Sequence, residues 1–455
     1  MSAGAQKTNV DLQAVTTINL GSPVGQLRAI EANLADGGKG ILLAHSADSV
    51  VDPWVEMFFF PTDTLKLTLY TLEGELIWRK DLGPGVIPGG HFAPVHAFDL
   101  DGDSVDEIWY VDNVDAEHPL SLKGRRLRRL DALTGESTGE WEWLWHTRGA
   151  RPSHQFRHFI LGGWAKGEPV LVTATGTYTD MRLVGWTTGM ERRWDVRIAD
   201  SDPGARGSHM SPICDINADG VDELLWGERC IELDTGKELF CADRDSYRGH
   251  SDVIQPTFDR DSGKWFIYTC RESDPDASPR VATFDDHGNR LWGSVEQGHM
   301  DMGWVARIGD NMRHVAMAIR IGRKWAGKDG FFRDGTDQFA WDALTGEPVE
   351  LPFNAYLTRP VDINGDGWHE LYRGYEGKAL KETEILDRQG RALGHVSGKV
   401  VLARKLLDLP GEQLVSYRPD GTVQIWADVN AVDSSSALER YANGFYRPGE
   451  PVQGI

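Results

Sequence analysis

The chain is predicted to be all-β, a β-propeller closed by its own N-terminus, and three observations predict it. Apolar segments are short, rich in Val, Ile, Leu, Trp and Tyr, and punctuated by Gly, Asp and Asn, the signature of many strands and few helices. One unit recurs: HAFDLDGDSVDEIWYV from His96, SHMSPICDINADGVDELLW from Ser208 to Trp226, and RPVDINGDGWHELYRG from Arg359. It reads as an apolar strand, a tight polar turn and a returning strand. The units follow one another at roughly 50 residues, the spacing of propeller blades.

Taken in order, inner strands are expected near 27–34, 91–100, 154–161, 209–216, 250–258, 299–308, 357–363 and 399–407. The outer hairpins share a second signature: LDALTGE at Leu130, ELDTGKE at Glu232, FDDHGNRLW at Phe284, WDALTGE at Trp341 and LDRQGRAL at Leu386. Each is a strand, a tight turn with Gly where φ is positive, and a strand. The last unit, ending PDGTVQIWADVN, has three strands, and AVTTINL near the N-terminus supplies the fourth. Closure of this kind removes the exposed edges of an open array. The count favours eight four-stranded blades, or seven if one unit is misread. A pair of β-sandwich domains would show uneven units and a linker, and neither is seen, so residues 1–455 are read as a single propeller domain.

Composition narrows the partners. Lys+Arg 48 against Asp+Glu 69 gives a net charge of −21, which disfavours nucleic acid and anionic membranes. An anionic ligand would need positive groups concentrated locally. The first ten residues hold no apolar signal core, and no apolar run reaches the roughly 18 residues of a membrane span. Four cysteines are too few for a disulfide scaffold. Cys230 and Cys241 flank the turn Asp234-Thr235-Gly236-Lys237, so they either bond across a hairpin or stay reduced on two strands.

In a propeller the start of the inner strand, the end of the second strand and the crossover between blades share one face. That face collects His91, His96, His118, His154, His158, Tyr178, Arg206, His209, His250, Cys270 and His299. The opposite face carries Asp-rich turns: Asp99, Asp101, Asp103 and Glu107; Asp215, Asn217, Asp219 and Glu223; Asp362, Asn364, Asp366 and Glu370. They alternate like calcium loops but lack the acid at position twelve, where Tyr110, Trp226 and Arg373 stand. Calcium and a plain Asx-type turn are both open, and either role is structural.

His209, His250 and His299 open three consecutive inner strands, and Cys270 ends the second strand of the middle unit. Three imidazoles and a thiolate converging near the axis make a closed tetrahedral set suited to zinc. The alternative is that each His caps its own strand and Cys270 is a small buried hydrophobe.

Tyr178, in ATGTYTDMR, ends a second strand; Arg206, in PGARGSH, is one crossover away, and His91, His96 and His118 belong to the preceding unit. A tyrosine, an arginine and histidines on one rim suit β-elimination from a uronic acid. Arg and His neutralise the carboxylate and so acidify the C5 proton. A Tyr lowered in pKa by that positive field removes the proton and returns it to the leaving oxygen. No nucleophile elbow, phosphate loop or HExxH is present, and the acids cluster in turns instead of forming a glycosidase pair.

On the DLDGDSVDEIWY and DINADGVDELLW units, the GHSD and GHMD strand starts and the His/Tyr/Arg rim, most of the chain resembles the propeller-fold polysaccharide lyases. These include ulvan lyases and relatives that cleave rhamnose–glucuronate linkages. The resemblance implies Tyr178 as base and acid, His96, His118 and Arg206 as carboxylate neutralisers, and zinc held by His209, His250, Cys270 and His299. It implies an acidic polysaccharide or oligosaccharide as substrate, and a secreted or periplasmic site of action with the cytoplasm left open. The chain departs from the pattern in a long interval between His118 and Tyr178 and in a count of eight blades where ulvan lyases typically have seven. His91 or His158 can therefore take the place of a chosen histidine. The reading from another class is a non-catalytic carbohydrate-binding or scaffold propeller.

Overall fold

The computed structural model describes residues 10–144, 151–274, 276–327, 330–377 and 382–442. It is an eight-bladed β-propeller, as the repeat count predicts. Blades 1 to 5 span 26–81, 95–142, 158–198, 213–241 and 251–294. Blade 6 spans 299–342 and blade 7 spans 358–397. Blade 8 combines 399–428 with the N-terminal strand Leu12–Asn19, which runs antiparallel to Thr422–Asp428 with Asn19 opposite Thr422. The two ends of the chain thus close the ring. Blade 6 pairs three strands, with a bridge from Trp341 to Pro348 at its outer edge, and carries an extra hairpin, Arg323–Gly327 and Gly330–Asp334.

Eight apolar clusters hold the ring together, one at each interface between successive blades. Between blades 3 and 4, for example, Phe159, Val172 and Leu183 pack on Ile213, Leu224 and Ile231. Both faces of every blade are therefore buried, which is why the strands read as continuous apolar runs and show little alternation. Ile18 of the N-terminal strand belongs to the interface between blades 8 and 1, so closure also completes a core.

The recurring turn has a mechanical role. Glu107, Glu223 and Glu370 accept the backbone amides of Leu100, Ile216 and Ile363 at 2.9, 2.9 and 3.1 Å, fixing their own turns. The residue just before this Glu, or before the equivalent Gln413, reaches the preceding blade. Asp106 accepts the Asn33 amide at 2.6 Å, Asp222 that of Trp164 at 2.7 Å, His369 that of Arg307 at 2.8 Å and Glu412 that of Asp362 at 2.8 Å. Each clasp satisfies a backbone donor that a buried interface would otherwise strand. The outer hairpins interlock as well: the indoles of Trp78, Trp194 and Trp292 donate to Ala132, Leu233 and Ala343 in the turn of the next blade. The Gly of that turn lies on the indole; a Cβ on Gly236 would come within 2.7 Å of Trp194.

Helix is confined to short pieces, including Ser435–Ala442 near the C-terminus. Among the described residues no helix is long and apolar enough to cross a membrane. All four cysteines are free: Cys230 faces Phe240 and Cys241 faces Arg229 across the hairpin, so the register does not set the two sulfurs opposite each other.

Candidate active site

The eight inner strands surround a channel of about 1290 Å³. At the end where the inner strands begin, two β-bulges shape the wall. Ser251 pairs with Arg271 and Val253 with Cys270, which leaves Asp252 as the extra residue; Asp301 is the extra residue between Met300 and Met302 in the next blade. A bulged residue is released from the ladder and its side chain is re-aimed. Asp252 thereby sits among three histidines: Oδ1 is 3.3 Å from His209 Nε2 and 3.9 Å from His250 Nε2, and Oδ2 is 3.1 Å from His299 Nε2. Glu272, just past the strand Lys264–Arg271, lies 3.8 Å from His250 and 3.5 Å from His299.

The ligand-capable atoms of His209, His250, Asp252 and Glu272 all lie within 4.8 Å of one another. His250 Nδ1 is 3.1 Å from the Thr177 carbonyl, which can only accept, so Nδ1 carries the proton and the lone pair of Nε2 faces the carboxylates. His250 Nε2, Asp252 Oδ1 and Glu272 Oε2 are buried and make no hydrogen bond. These converging donors are a set that could hold a divalent cation.

Tyr178 flanks this cluster. Its ring lies 4.5 Å from that of His250, 6.4 Å from His209 and 6.0 Å from Trp54. The Arg157 guanidinium stands 5.3 Å over the tyrosine ring, is paired with Asp52 at 2.9 Å, and approaches His209 Nδ1 to 3.4 Å. His91 packs 5.3 Å from His209. Blades 1 to 6 thus all contribute, with Asp52 and Trp54 brought in by the long loop between the second and third strands of blade 1.

The charges follow from burial and neighbours. Desolvation, reinforced by Arg157 and by neighbouring imidazoles, holds His91, His209 and His250 well below the usual imidazole value. Burial works against charge on His299 too, but hydrogen bonds to Asp252 and Asp301 hold it up at about 10. Burial and the Asp252 charge push Glu272 up to about 7. Tyr178 lies well above its ordinary value, because desolvation and the charges of Glu272, Asp252 and Asp52 outweigh Arg157. The lowered tyrosine pKa expected from the sequence is therefore not what the protein alone produces.

Of the residues singled out in the sequence, Tyr178, His209, His250 and His299 come together here. Cys270 does not join them: it packs in the core between blades 5 and 6, with Sγ 3.4 Å from Tyr268 Oη and 3.7 Å from the Met302 carbonyl, and burial raises its thiol to about 12. Asp252 and Glu272 occupy the position assigned to the thiolate. Arg206 spends its guanidinium on the backbone carbonyls of Ala199, Asp202 and Gly204, bracing its own loop; Arg157 holds the place beside Tyr178 that Arg206 was expected to fill. His118 is 74% exposed and pairs with Asp115 at 2.9 Å. His96 lines the channel wall, stacked 6.0 Å from Phe98. On the opposite face, Asp99 accepts the amides of Gly102, Asp103 and Ser104, and Asp215 those of Asp219 and Gly220, the bonding of Asx-type turns. Asp99, Asp101 and Asp103 also gather their oxygens within 4.8 Å.

Comparison with known proteins follows the same line. Over 350 residues the chain is 25% identical to rhamnogalacturonan exolyase YesX of Bacillus subtilis, a match covering 63% of this chain and 56% of that protein. It is 24% identical over 281 residues to rhamnogalacturonan endolyase YesW of the same organism, covering 54% and 44%. The chain thus spans about half the length of the curated relatives it matches. The solved structure of YesX superposes with a TM-score of 0.75 at 19% identity, over 92% of this chain and 76% of that one. A rhamnogalacturonan lyase from Bacillus licheniformis gives 0.73 at 17% identity, over 97% and 82%. The chain shares its fold with rhamnogalacturonan lyases. No protein-family model matches. The resemblance to propeller-fold polysaccharide lyases is met by these relatives, whose names specify rhamnogalacturonan and not ulvan.

Proposed function

We propose that the chain is a polysaccharide lyase that cleaves a rhamnose- and uronate-containing polysaccharide of the rhamnogalacturonan kind by β-elimination. The observation that carries this reading is Tyr178, packed between Arg157 and His250 beside a cluster of imidazoles and carboxylates at the channel mouth. The names of the relatives supply the substrate class, and since one is an exolyase and the other an endolyase, they leave the mode of cleavage open.

The zinc implied by the resemblance fits this protein with His209, His250, Asp252 and Glu272 as donors, a set of two imidazoles and two carboxylates without a thiolate. When bound, a divalent cation there supplies a positive centre that offsets the uronate carboxylate and the Asp252 and Glu272 charges which raise Tyr178. The remaining chemistry belongs to side chains. Tyr178 takes the C5 proton and returns it to the leaving oxygen, so a single group serves as base and acid. Arg157 is a positioning residue: held by Asp52, it lowers the cost of charge on the Tyr178 oxygen without touching substrate. His299, charged and bridging Asp252 and Asp301, keeps the bulged carboxylates in register.

Such a polymer is met outside the cytoplasm, so a secreted or periplasmic site of action belongs to the same proposal. Calcium, where the Asp-rich turns take it, belongs at Asp99, Asp101 and Asp103. The test of the function is the ultraviolet absorbance of the conjugated 4,5-unsaturated uronate product, followed with metal-replete protein on rhamnogalacturonan, ulvan and gum arabic. A rise with rhamnogalacturonan is expected. No rise with any of the three overturns the lyase reading.

A further inference from the structure

The extra hairpin of blade 6, Arg323–Gly327 and Gly330–Asp334, has two faces of different chemistry. Its register pairs Lys324 with Arg333 and Trp325 with Phe332, and because side chains alternate along a strand, the two pairs project to opposite sides. The cationic pair faces the candidate active site. Lys324 Nζ is 2.9 Å from Asp301 Oδ1, Arg333 bonds to Asp301 Oδ2, and Asp301 is 3.4 Å from His299. These buried ion pairs on one face fix how the other is presented.

That other face carries Trp325. Its indole is 41% exposed, and among the described residues it is the only tryptophan exposed to this degree. The ring is nevertheless held. It lies nearly parallel to Phe332, with centroids 5.9 Å apart at 20°, and the Arg323 guanidinium stands 4.7 Å over it, itself paired with Asp334 at 2.9 Å. A large apolar ring fixed in place and left open to water is a feature of binding surfaces.

The hairpin also has a defined place at the channel mouth. Its first strand lies alongside Val55–Met57, the short turn that follows Trp54, and Trp54 is the ring 6.0 Å from Tyr178. Hairpin and loop together make a rim whose inner side lines the channel with Lys324, Arg333 and Asp52, while Trp325 belongs to its outer side. A polymer with one residue at Tyr178 continues out of the mouth, and this rim is part of the wall it meets. Sugars stack on aromatic rings through the C–H bonds of one pyranose face; rhamnose, a 6-deoxy sugar, adds a methyl group and is the less polar half of a rhamnose–uronate repeat.

We propose that Trp325 is a stacking subsite for a neutral rhamnose of the polysaccharide, outside the channel and beyond the residue being cleaved. This rests on the rhamnose–uronate reading above. Phe332 and Arg323 orient the indole in advance, so little ordering is left to be done on binding.

The test is calorimetric titration of full-length, metal-replete Tyr178→Phe protein with a rhamnogalacturonan hexasaccharide and with the disaccharide, which is too short to occupy both Tyr178 and the outer rim. Adding Trp325→Ala is expected to weaken hexasaccharide binding about tenfold, the scale of truncating an aromatic anchor, and Trp325→Phe should recover most of that loss. Disaccharide binding and melting temperature should stay unchanged. Hexasaccharide affinity that survives Trp325→Ala overturns the subsite, and so does equal weakening of both oligosaccharides, which makes the loss a disturbance of the site around Asp301. Sedimentation of the same proteins examines the other occupant open to an exposed indole, a second copy of the chain: a dimer that Trp325→Ala dissociates also overturns the subsite. If the Tyr178→Phe protein binds neither oligosaccharide, the lyase reading fails and the subsite with it.

Discussion

Replacing Tyr178 by Phe removes one oxygen and leaves the ring in place, so it separates proton transfer from packing. The contacts that hold the ring are those with His250 at 4.5 Å, Trp54 at 6.0 Å and the Arg157 guanidinium at 5.3 Å, and a phenyl ring keeps all three. Phe fills the same space as the Tyr178 ring and opens no cavity, so stability should change by no more than about 1 kcal/mol. The chemical step should respond very differently. A positioned acid or base contributes typically 10²–10⁴-fold, and because the same hydroxyl serves both half-steps, kcat should fall by about 10³-fold or more, equivalent to about 4 kcal/mol of transition-state stabilisation. KM should stay within about threefold, since the hydroxyl is asked to do chemistry and not to anchor the chain. Initial rates of ultraviolet absorbance on rhamnogalacturonan, with melting curves of the same preparation, measure both quantities. A variant that keeps more than about a tenth of wild-type kcat would refute Tyr178 as the proton-transfer group.

Four further outcomes are expected. Metal analysis should find zinc retained in Cys270→Ser and lost in His250→Ala, because the thiol is buried away from the cluster whereas His250 Nε2 points into it; zinc lost from Cys270→Ser would restore the thiolate set. Asp222→Ala should cost about 2–4 kcal/mol in denaturant unfolding, since it removes a buried charged acceptor 2.7 Å from the Trp164 amide, whereas Asp219→Ala in the exposed turn should cost less than about 1 kcal/mol. Burial and the charges of Asp219, Asp215 and Asp222 raise Glu223 from 4.5 to about 8, so the folded state holds an extra proton between those values; wild-type stability should decline relative to Glu223→Gln as pH rises through that window, and parallel curves would remove the raised carboxyl from the account. Calcium added to chelator-treated protein should raise the melting temperature, and Asp101→Asn should abolish the rise.

The blades were legible because each interface demands the same things of local sequence. A strand buried on both faces must be apolar, its turn must satisfy its own amides, and one side chain must clasp the neighbour; DGDSVDE, ADGVDE and NGDGWHE state all three in a few residues. The site was legible only in part. Strand order gives the face, and Tyr178, His209, His250 and His299 do lie near one another, but order along a strand does not give depth. Cys270 stands at the right end of its strand and still turns into the interface with blade 6. Asp252 and Asp301 could have been found from GHSD and GHMD, where an acid follows each His by two residues, yet the bulges that aim them depend on the register with the neighbouring strand. Arg157 and Asp52 carried no local signal; they lie 105 residues apart and meet only once the ring has closed around them.

The two ends of the propeller use the same residue types for opposite purposes, and hydrogen bonding tells them apart. Asp222 and Glu223 are buried carboxylates on one face, and each holds a backbone amide at 2.7 and 2.9 Å. Asp252 and Glu272 are carboxylates on the other face, and each keeps a buried oxygen with no donor. A fold that satisfies its buried acids with clasps at Asp106, Asp222 and Glu412 does not lack the means to satisfy two more. That these two lie together, beside a proton-bearing tyrosine and the His250 imidazole whose Nε2 lone pair faces them, points to this end of the channel as a place where a ligand completes the structure. The conspicuous acidic repeats therefore build the ring, and the inconspicuous His-x-Asp strand starts equip it.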